Sequence, residues 1–437
     1  MIFGLFGNKG GDDEDEDEEE VELVAFQGAV SGKEVDLSAN ARLAQAGLVP
    51  AKELVTDALQ RRAESVKVEL KGERAQVTLY VDGIAYSGGK LSKPQALAIT
   101  QMMKLLAGLD PKIKGKGQSG GVKADWQGTP YEISVDTQPV ADGSERLTLR
   151  TRNLKAKMSS MEELGFPPSL KATLRELSSK RHGLVLVAGP PGSGITTTVY
   201  AFLKGLDLYM YSAFTIVNMG SREVYNVQKF EANEGDDLQF TMERMIRSEA
   251  DVIFVDPIRD AETAKVMANV ADRVTILGEM PAKDAASAIV QLCTWIGDRA
   301  KVAELIEGVF SQKLIRTLCT DCREAFRPNP KLLQKVGLPP ETKVLYRKGE
   351  PEPDEKTGEL PEPCEKCSGS GYFGRIAMVE LITGSEAIKK LITEGATADA
   401  IKAQARAEGM LTLHKDGLRL VAEGKTSLEE LQRVFKA

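Results

Sequence analysis

The feature that most constrains this chain is one turn. Residues 184–188 (LVLVA) form a short, wholly apolar run, glycines follow at 189, 192 and 194, and an apolar helical segment, Val199 to Leu203, comes next. An apolar run of this length bounded by glycine reads as a strand buried on both faces. A glycine-rich turn from such a strand into a helix gathers backbone N–H groups around one point, where the helix dipole adds a favourable field for an anion. The stretch Gly189-Pro190-Pro191-Gly192-Ser193-Gly194-Ile195-Thr196-Thr197-Thr198 therefore reads as a phosphate-binding loop. Gly189, Gly192, Ser193, Gly194, Thr196 and Thr197 are its candidate nucleotide-binding residues, and the Thr196 hydroxyl stands where it would hold Mg²⁺. One position breaks the pattern. The motif asks for lysine just before that hydroxyl, because a mobile ammonium follows the β- and γ-phosphates, and here the residue is Ile195. Losing a charge-assisted contact weakens binding by about 1.5–3 kcal/mol, and the transition state suffers more. Two readings stand side by side: residual binding of ATP and Mg²⁺, or a tight strand-to-helix turn that holds no ligand.

A chain of 437 residues exceeds what one hydrophobic core organises, so several domains are expected. Residues 1–20 end in nine consecutive acids, Asp12 to Glu20, and read as an acidic, disordered tail, solvated or serving as a docking arm. Without those nine charges the formal −7 becomes about +2, so the remaining body is near neutral. Residues 21–150 read as a small α+β domain. It is helix-rich to Gln60, alternates in the manner of a strand pair over Val66 to Leu70 and Ala75 to Val81, has a helix around Gln95 to Leu106, and has strands near Tyr131 to Val135 and Arg146 to Arg150. Residues 151–182 are a linker and entry helix. Residues 183–317 form an α/β core with a parallel sheet, its candidate strands being Leu184 to Ala188, Phe214 to Met219, Val252 to Val255 and Val274 to Leu277. A cysteine module spans 318–382 and short helices span 383–437. No apolar stretch of about 18 residues occurs, and Met1 to Gly7 is too short for a secretory signal, which points to the cytoplasm; dipping Ile2, Phe3, Leu5 and Phe6 into a bilayer surface is opposed by the acids that follow.

Cys319-Thr320-Asp321-Cys322 and Cys364-Glu365-Lys366-Cys367 are two CxxC pairs about forty residues apart. Each pair turns two thiolates toward one point, so Cys319, Cys322, Cys364 and Cys367 can close a tetrahedral zinc site, with Gly369, Gly371 and Gly374 beside the second pair. Two redox pairs or isolated buried thiols are the alternatives. A closed four-sulfur site leaves no open coordination position, so the metal would be structural. Cys293 sits in an apolar helical run and reads as a core thiol. The chain shows no concentrated basic face interleaved with aromatics, so a nucleic-acid partner is not expected.

The motifs together resemble the type II secretion and type IV pilus assembly motor ATPases, a family with a P-loop NTPase (RecA-like) core. Its loop is similar to GPTGSGKTTTLYA, against GPPGSGITTTVYA from Gly189 to Ala201. Val81-Asp82-Gly83 and Met103 to Asp110 look like the family's RIDG and IKxLAGLD stretches, Ile258 to Thr263 like the end of its GEIRDxET signature, and Gly371 to Leu381 like GYRGRTGIYEL after its four-cysteine metal module. The resemblance implies a hexamer-type homo- or hetero-oligomer in the cytoplasm, peripheral to the inner membrane and working with secretion or pilus platform proteins. It also exposes a set of departures. Asn218-Met219-Gly220-Ser221-Arg222 stands where the family has EDPVE. Pro257 replaces its glutamate, and the neighbouring Asp256 points to the other face of a strand. Pro281 replaces the histidine of STLHTND, and Thr78 and Tyr80 replace the arginines of VRxRIDG. His182 and His414, the only histidines, read as surface or packing residues. No residue is assigned a catalytic role, and the chain reads as a degenerate, non-hydrolysing member that scaffolds or regulates a machine; an ATP-binding, slowly hydrolysing motor is the alternative.

Overall fold

The computed structural model describes residues 22–436 except 141–143, 157–159, 162, 207, 218, 220–223, 234, 256, 351, 352, 354–357 and 359. The acidic tail therefore lies outside the described residues. The chain divides into two compact units, Met1–Lys157 and Met158–Ala437.

Alternation of apolar and polar residues builds the first unit. β1 (Ala25–Ala29) precedes α1 (Ala41–Gln60), a strand within what reads from sequence as a helix-rich stretch. Its sequence AFQGA shows no alternation and buries only Ala29; what makes it a strand is antiparallel pairing at the edge of the sheet. β2 (Ser65–Lys71) and β3 (Arg74–Val81) form the expected hairpin, burying Val66, Val68, Ala75, Val77 and Leu79. β4 (Ile84–Ser92) leads into α2 (Lys93–Leu106), which starts with a capping box between Ser92 and Gln95. β5 (Gln118–Trp126), β6 (Thr129–Pro139) and β7 (Glu145–Asn153) complete an antiparallel sheet of order β1-β5-β6-β7-β2-β3-β4. β4 and β5 escape a sequence reading because Gly88-Gly89 and Gly120-Gly121 interrupt the alternation. Leu54 and Val55 of α1 and Ile99, Met102 and Met103 of α2 close the core against one face.

In the second unit α3 (Pro168–Ser179) enters β8 (Gly183–Gly189), which is followed by α4 (Ile195–Gly205), β9 (Ala213–Thr215), β10 (Val227–Lys229) and α5 (Leu238–Arg247). β11 (Val252–Phe254), α6 (Ala261–Val270), β12 (Thr275–Pro281), α7 (Ala285–Ile296), α8 (Arg299–Leu305) and the long β13 (Ile306–Leu318) continue the chain. Then come β14 (Glu324–Phe326), α9 (Pro330–Val336), β15 (Leu345–Arg347) and β16 (Tyr372–Thr383), and finally α10 (Glu386–Glu394), α11 (Ala398–Ala407), α12 (Leu413–Ala422) and α13 (Leu428–Lys436). The main sheet has the order β10-β9-β11-β12-β8-β13-β16, parallel up to β13 and antiparallel at β16. β8 feeds two cores. Leu184, Leu186 and Ala188 pack with Met267 of α6 and Ile289 of α7, while Val185 and Val187 pack with Leu174 of α3 and Val199 and Phe202 of α4. The continuous apolar run is thus explained by burial on both faces.

Two strand readings change. The strand expected over Phe214 to Met219 stops at Thr215, whose hydroxyl donates to the Phe254 carbonyl at 3.0 Å and accepts the Val217 N–H at 2.9 Å, which takes that N–H away from ladder pairing. Residues 372–383, beyond the second cysteine pair, form β16 and pair with β13 from Gly308–Thr383 to Leu318–Tyr372. Among the described residues no helix is long and apolar enough to cross a membrane.

Candidate functional site

The glycine loop sits between the end of β8 and the start of α4. Gly192 and Gly194 both adopt φ 82°, a left-handed backbone that costs an L-residue about 1–2 kcal/mol. Gly194 is the N-cap of α4 and offers no side chain, so the first-turn N–H groups of that helix have no side-chain cap. Ser193 turns inward and is buried, its N–H donating to the Pro190 carbonyl at 3.1 Å and its Oγ to the same oxygen at 2.6 Å. Thr196 is half-buried and Thr197 is exposed, while Gly189 is buried at the strand end.

A residue that motif reading misses holds this loop in place. Gln312 of β13, 2% exposed, donates from Nε2 to the Ser193 carbonyl at 2.7 Å and accepts at Oε1 from the Thr198 hydroxyl at 2.6 Å. Parallel pairing sets Ser311 beside Ala188, which brings Gln312 level with the turn. Both amide groups are satisfied, so the cradle shape is braced by the protein itself. A Cβ added at Gly194 would stand 3.2 Å from Gln312 Nε2. Gly194→Ala should therefore destabilise the second unit by about 1–2 kcal/mol through backbone strain and pressure on the brace, read as a lower midpoint in denaturant. An unchanged midpoint would show the loop to be pliant.

Ile195, the first residue of α4, is half-buried and packs on the core shared by α3, α4 and the sheet. Its Cγ2 lies 2.9 Å from where a Gly189 Cβ would be, so the hydrocarbon lines the inside of the turn. One other departure lies at the same end of the sheet. Pro281 pairs in register with Gly189, and the Ala282 N–H donates to the Gly189 carbonyl at 3.2 Å. Asp284 caps α7 through the Ser287 N–H at 2.9 Å and meets Lys402 at 3.2 Å; burial opposes its ionisation, but these partners hold its carboxyl below the usual range. Lys402 also lies 3.7 Å from the buried Glu380, whose carboxyl is pushed up by burial. Asp260 caps α6 through the Thr263 N–H at 2.8 Å. Pro257 is half-buried, Thr78 and Tyr80 lie on β3 of the first unit, and Asn218 and Asp256 fall outside the described residues. His182 is exposed, and His414 stacks edge-on against Phe435 at 5.4 Å.

The four cysteines do converge. All four Sγ atoms lie within 4.8 Å of one another, with Cys319–Cys364 at 3.9 Å and Cys322–Cys367 at 3.6 Å. A tetrahedron with Zn–S bonds of about 2.3 Å has sulfur–sulfur edges of about 3.8 Å, so the donor set fits a structural zinc. These separations are far beyond the ~2.05 Å of a disulfide, and all five cysteines are free, which argues against oxidised redox pairs. Burial works against the Cys367 thiolate, but the Gly371 N–H at 3.3 Å and the neighbouring thiols bring its pKa to about 7. Cys293 stands apart, half-buried in α7, its thiol pushed up by burial.

Similarity to known proteins follows the same architecture. A family model described as type II/IV secretion system protein matches residues 45–433. The chain is 30% identical over 387 residues to the type II secretion system protein HxcR of Pseudomonas aeruginosa, covering 88% of this chain and 76% of that protein. It is 29% identical over 387 residues to the type IV pilus assembly ATPase PilB of Thermus thermophilus, covering 87% of this chain but only 42% of PilB. Among solved structures, the Legionella pneumophila ATPase DotB superposes with a TM-score of 0.57 at 14% identity over 89% of this chain and 96% of DotB. The pilus retraction motor PilT with bound ADP gives 0.50 at 18% over 87% and 95%. These likenesses establish an α/β P-loop ATPase-like fold with an N-terminal antiparallel domain, a four-cysteine cluster and C-terminal helices. With the family model spanning nearly the whole described chain, the protein belongs to the type II/IV secretion system protein family of secretion and pilus assembly ATPases.

Proposed function

We propose that this chain is a non-hydrolysing subunit of a type II secretion or type IV pilus assembly machine, in which the motor's frame serves as an assembly or regulatory scaffold. The observation that carries this reading is Ile195, a half-buried hydrocarbon packed against the core at the place where a mobile ammonium would meet the β- and γ-phosphates. The coordinated departures at Pro257, Pro281, Thr78 and Tyr80 support it. In this reading the chain assembles as a hexamer-type oligomer beside inner-membrane platform proteins, and the four-cysteine module holds zinc for shape. A second reading is favoured by the family itself and by the braced loop: ATP and Mg²⁺ still bind through Gly189, Gly192, Ser193, Gly194, Thr196 and Thr197, with slow turnover.

Binding and phosphate release at millimolar ATP, for native protein and for Ile195→Lys, separate the two. The native chain should release phosphate only at background. Ile195→Lys should bind ATP about 10- to 100-fold more tightly, the equivalent of a recovered charge-assisted contact. Steady turnover by the native chain that Thr196→Ala abolishes would establish the second reading instead.

A further inference from the structure

Beside the end of β8 that feeds the phosphate loop, two buried oxygens lack a partner among the described residues. Glu380 of β16 is 2% exposed and Ser311 of β13 is 1% exposed, and neither Glu380 Oε1 nor Ser311 Oγ makes a hydrogen bond. The two residues are direct partners in the β13–β16 ladder, so their side chains leave the same face of the sheet with Cβ atoms about 4.5–5.5 Å apart. Val309 and Ile382, partners on that same face, belong to the core that holds Ile289 of α7. The charged groups facing Glu380 are Lys402 of α11, its Nζ 3.7 Å from Oε1, and Asp284 at the start of α7, which takes the same ammonium at 3.2 Å. From α12 it is the Leu413 backbone that approaches, since Asp416 of that helix is turned to the Val379 N–H and to Arg419. Lys313, further along β13, is turned to the Phe435 ring. Two carboxyl groups thus share one ammonium in a nearly enclosed place, and one positive charge balances only one of them. Asp284 also caps α7 through the Ser287 N–H, a bond that favours its charged form. Glu380 is left with an uncompensated buried charge or a proton, and the proton costs less.

We propose that Glu380 is a proton-binding site, a neutral carboxylic acid whose Oε1–H donates to Ser311 Oγ, and that loss of this proton loosens α11 from the segments that shape the phosphate loop. One proton supplies the donor that both orphaned oxygens need. Burial pushes the Glu380 carboxyl up, whereas the helix-cap bond and Lys402 outweigh burial at Asp284 and hold it below the usual range, which is the order the charge count requires. The position gives the proton a structural consequence. Ser311 pairs with Ala188 of β8 and adjoins Gln312, the residue that braces Ser193 and Thr198. Asp284 lies two residues beyond Ala282, whose N–H donates to the Gly189 carbonyl. Lys402 pins α11 to both acids. Ionised, Glu380 sets a second negative charge against Asp284 in the same enclosure, so the start of α7 and α11 are loosened together. None of this depends on a nucleotide in the loop.

Denaturant unfolding of the full chain across pH, native against Glu380→Gln, tests this. Trp295 of α7 reports the second unit in a Trp126→Phe background, because Trp126 is the other tryptophan and lies in the first unit. Unfolded, Glu380 has the ordinary value of 4.5 and is ionised above it, while the folded chain keeps the proton. The stability this gives is complete below that value and is lost as pH rises toward the folded pKa. The ratio of unfolding constants, native over Glu380→Gln, should therefore climb about tenfold per pH unit above about pH 5 and level off once the folded carboxyl ionises, since glutamine has no proton to lose. At about pH 8 Glu380→Gln should slow hydrogen exchange in α11 and in the first turn of α7, and at about pH 5 it should leave it unchanged. Ser311→Ala removes the acceptor, so its climb should level off at lower pH than the native one. A ratio that stays flat or falls, or a Ser311→Ala profile identical to the native one, would overturn the proposal. Infrared spectra of the native chain stand apart from any variant's folding. At about pH 7, where ordinary carboxyl groups are ionised, the folded chain should keep the C=O band of a protonated carboxyl and lose intensity in Glu380→Gln; no such band in the native chain would overturn the proposal as well.

Discussion

Cys367→Ser should abolish zinc binding at the four-cysteine site and melt the segment between Cys319 and Gly371, with its β14–β15 pair, while both seven-stranded sheets stay folded. The cluster ties residues 45 positions apart, and the loop it closes places Leu333, Leu338 and Leu345 in a core shared with Ile315, Met378, Leu418 and Leu420. Binding of a structural zinc is folding energy, on the order of 10 kcal/mol in small zinc modules, more than the roughly 1.5–3 kcal/mol that each buried leucine of the loop supplies. Serine lacks the thiolate, and three sulfurs do not close the site. Metal analysis should find zinc equimolar with native chain and almost none in the variant, and proteolysis should cut within 340–363 at least tenfold faster, as expected for a cooperative local opening. A metal-free native protein that resists proteolysis equally well would show the four thiols to be a packed cluster rather than a metal centre.

The second large effect belongs to the first unit. Lys104 is 0% exposed and its partner Glu145 is buried with it, the two meeting at 2.8 Å. Glu145→Leu leaves an ammonium in the core with carbonyl contact alone, and breaking a buried pair in this way costs about 3–5 kcal/mol. The double variant Lys104→Met, Glu145→Leu removes both charges and should recover most of that loss. It keeps a deficit of about 1 kcal/mol, because the Ile113 carbonyl loses its buried donor. Denaturant unfolding of the full chain, followed by hydrogen exchange in α2, reads both effects within the right unit. A double variant no better than the single one would mean that the pair holds the 110–117 loop rather than offsetting its own burial.

The two results bear on how the chain is organised, because each tests a region that the sequence reads differently. Spacing alone makes the cysteine cluster legible: a CxxC turn directs two thiolates to one point wherever it occurs. The glycine loop is legible for a similar reason, since an apolar strand, three glycines and a helix are local and contiguous, and the absent lysine at Ile195 is visible by inspection. The β2–β3 hairpin shows in the alternation of Val66, Val68, Val77 and Leu79, and α2 in its capping residues Ser92 and Gln95. β1, β4 and β5 are hidden by glycines and by the lack of an apolar face, and β9 is cut short by the Thr215 hydroxyl, a contact to another strand. β13 reads poorly because Glu307, Gln312 and Arg316 interrupt it, and each is matched only by distant partners: Lys180, Ser193 with Thr198, and Glu430.

By itself, then, the sequence determined which chemistry is present and which is missing: four thiols at metal-binding spacing, a phosphate-shaped turn, and a hydrocarbon at its key position. Only the tertiary structure decided that this turn keeps its shape without the lysine. The brace joins Ser193 to Gln312 across 119 residues, and it exists because β13 lies parallel to β8 in one register. Register between strands so far apart is set by the packing of two cores on opposite faces of the sheet, and no periodicity within either strand encodes it.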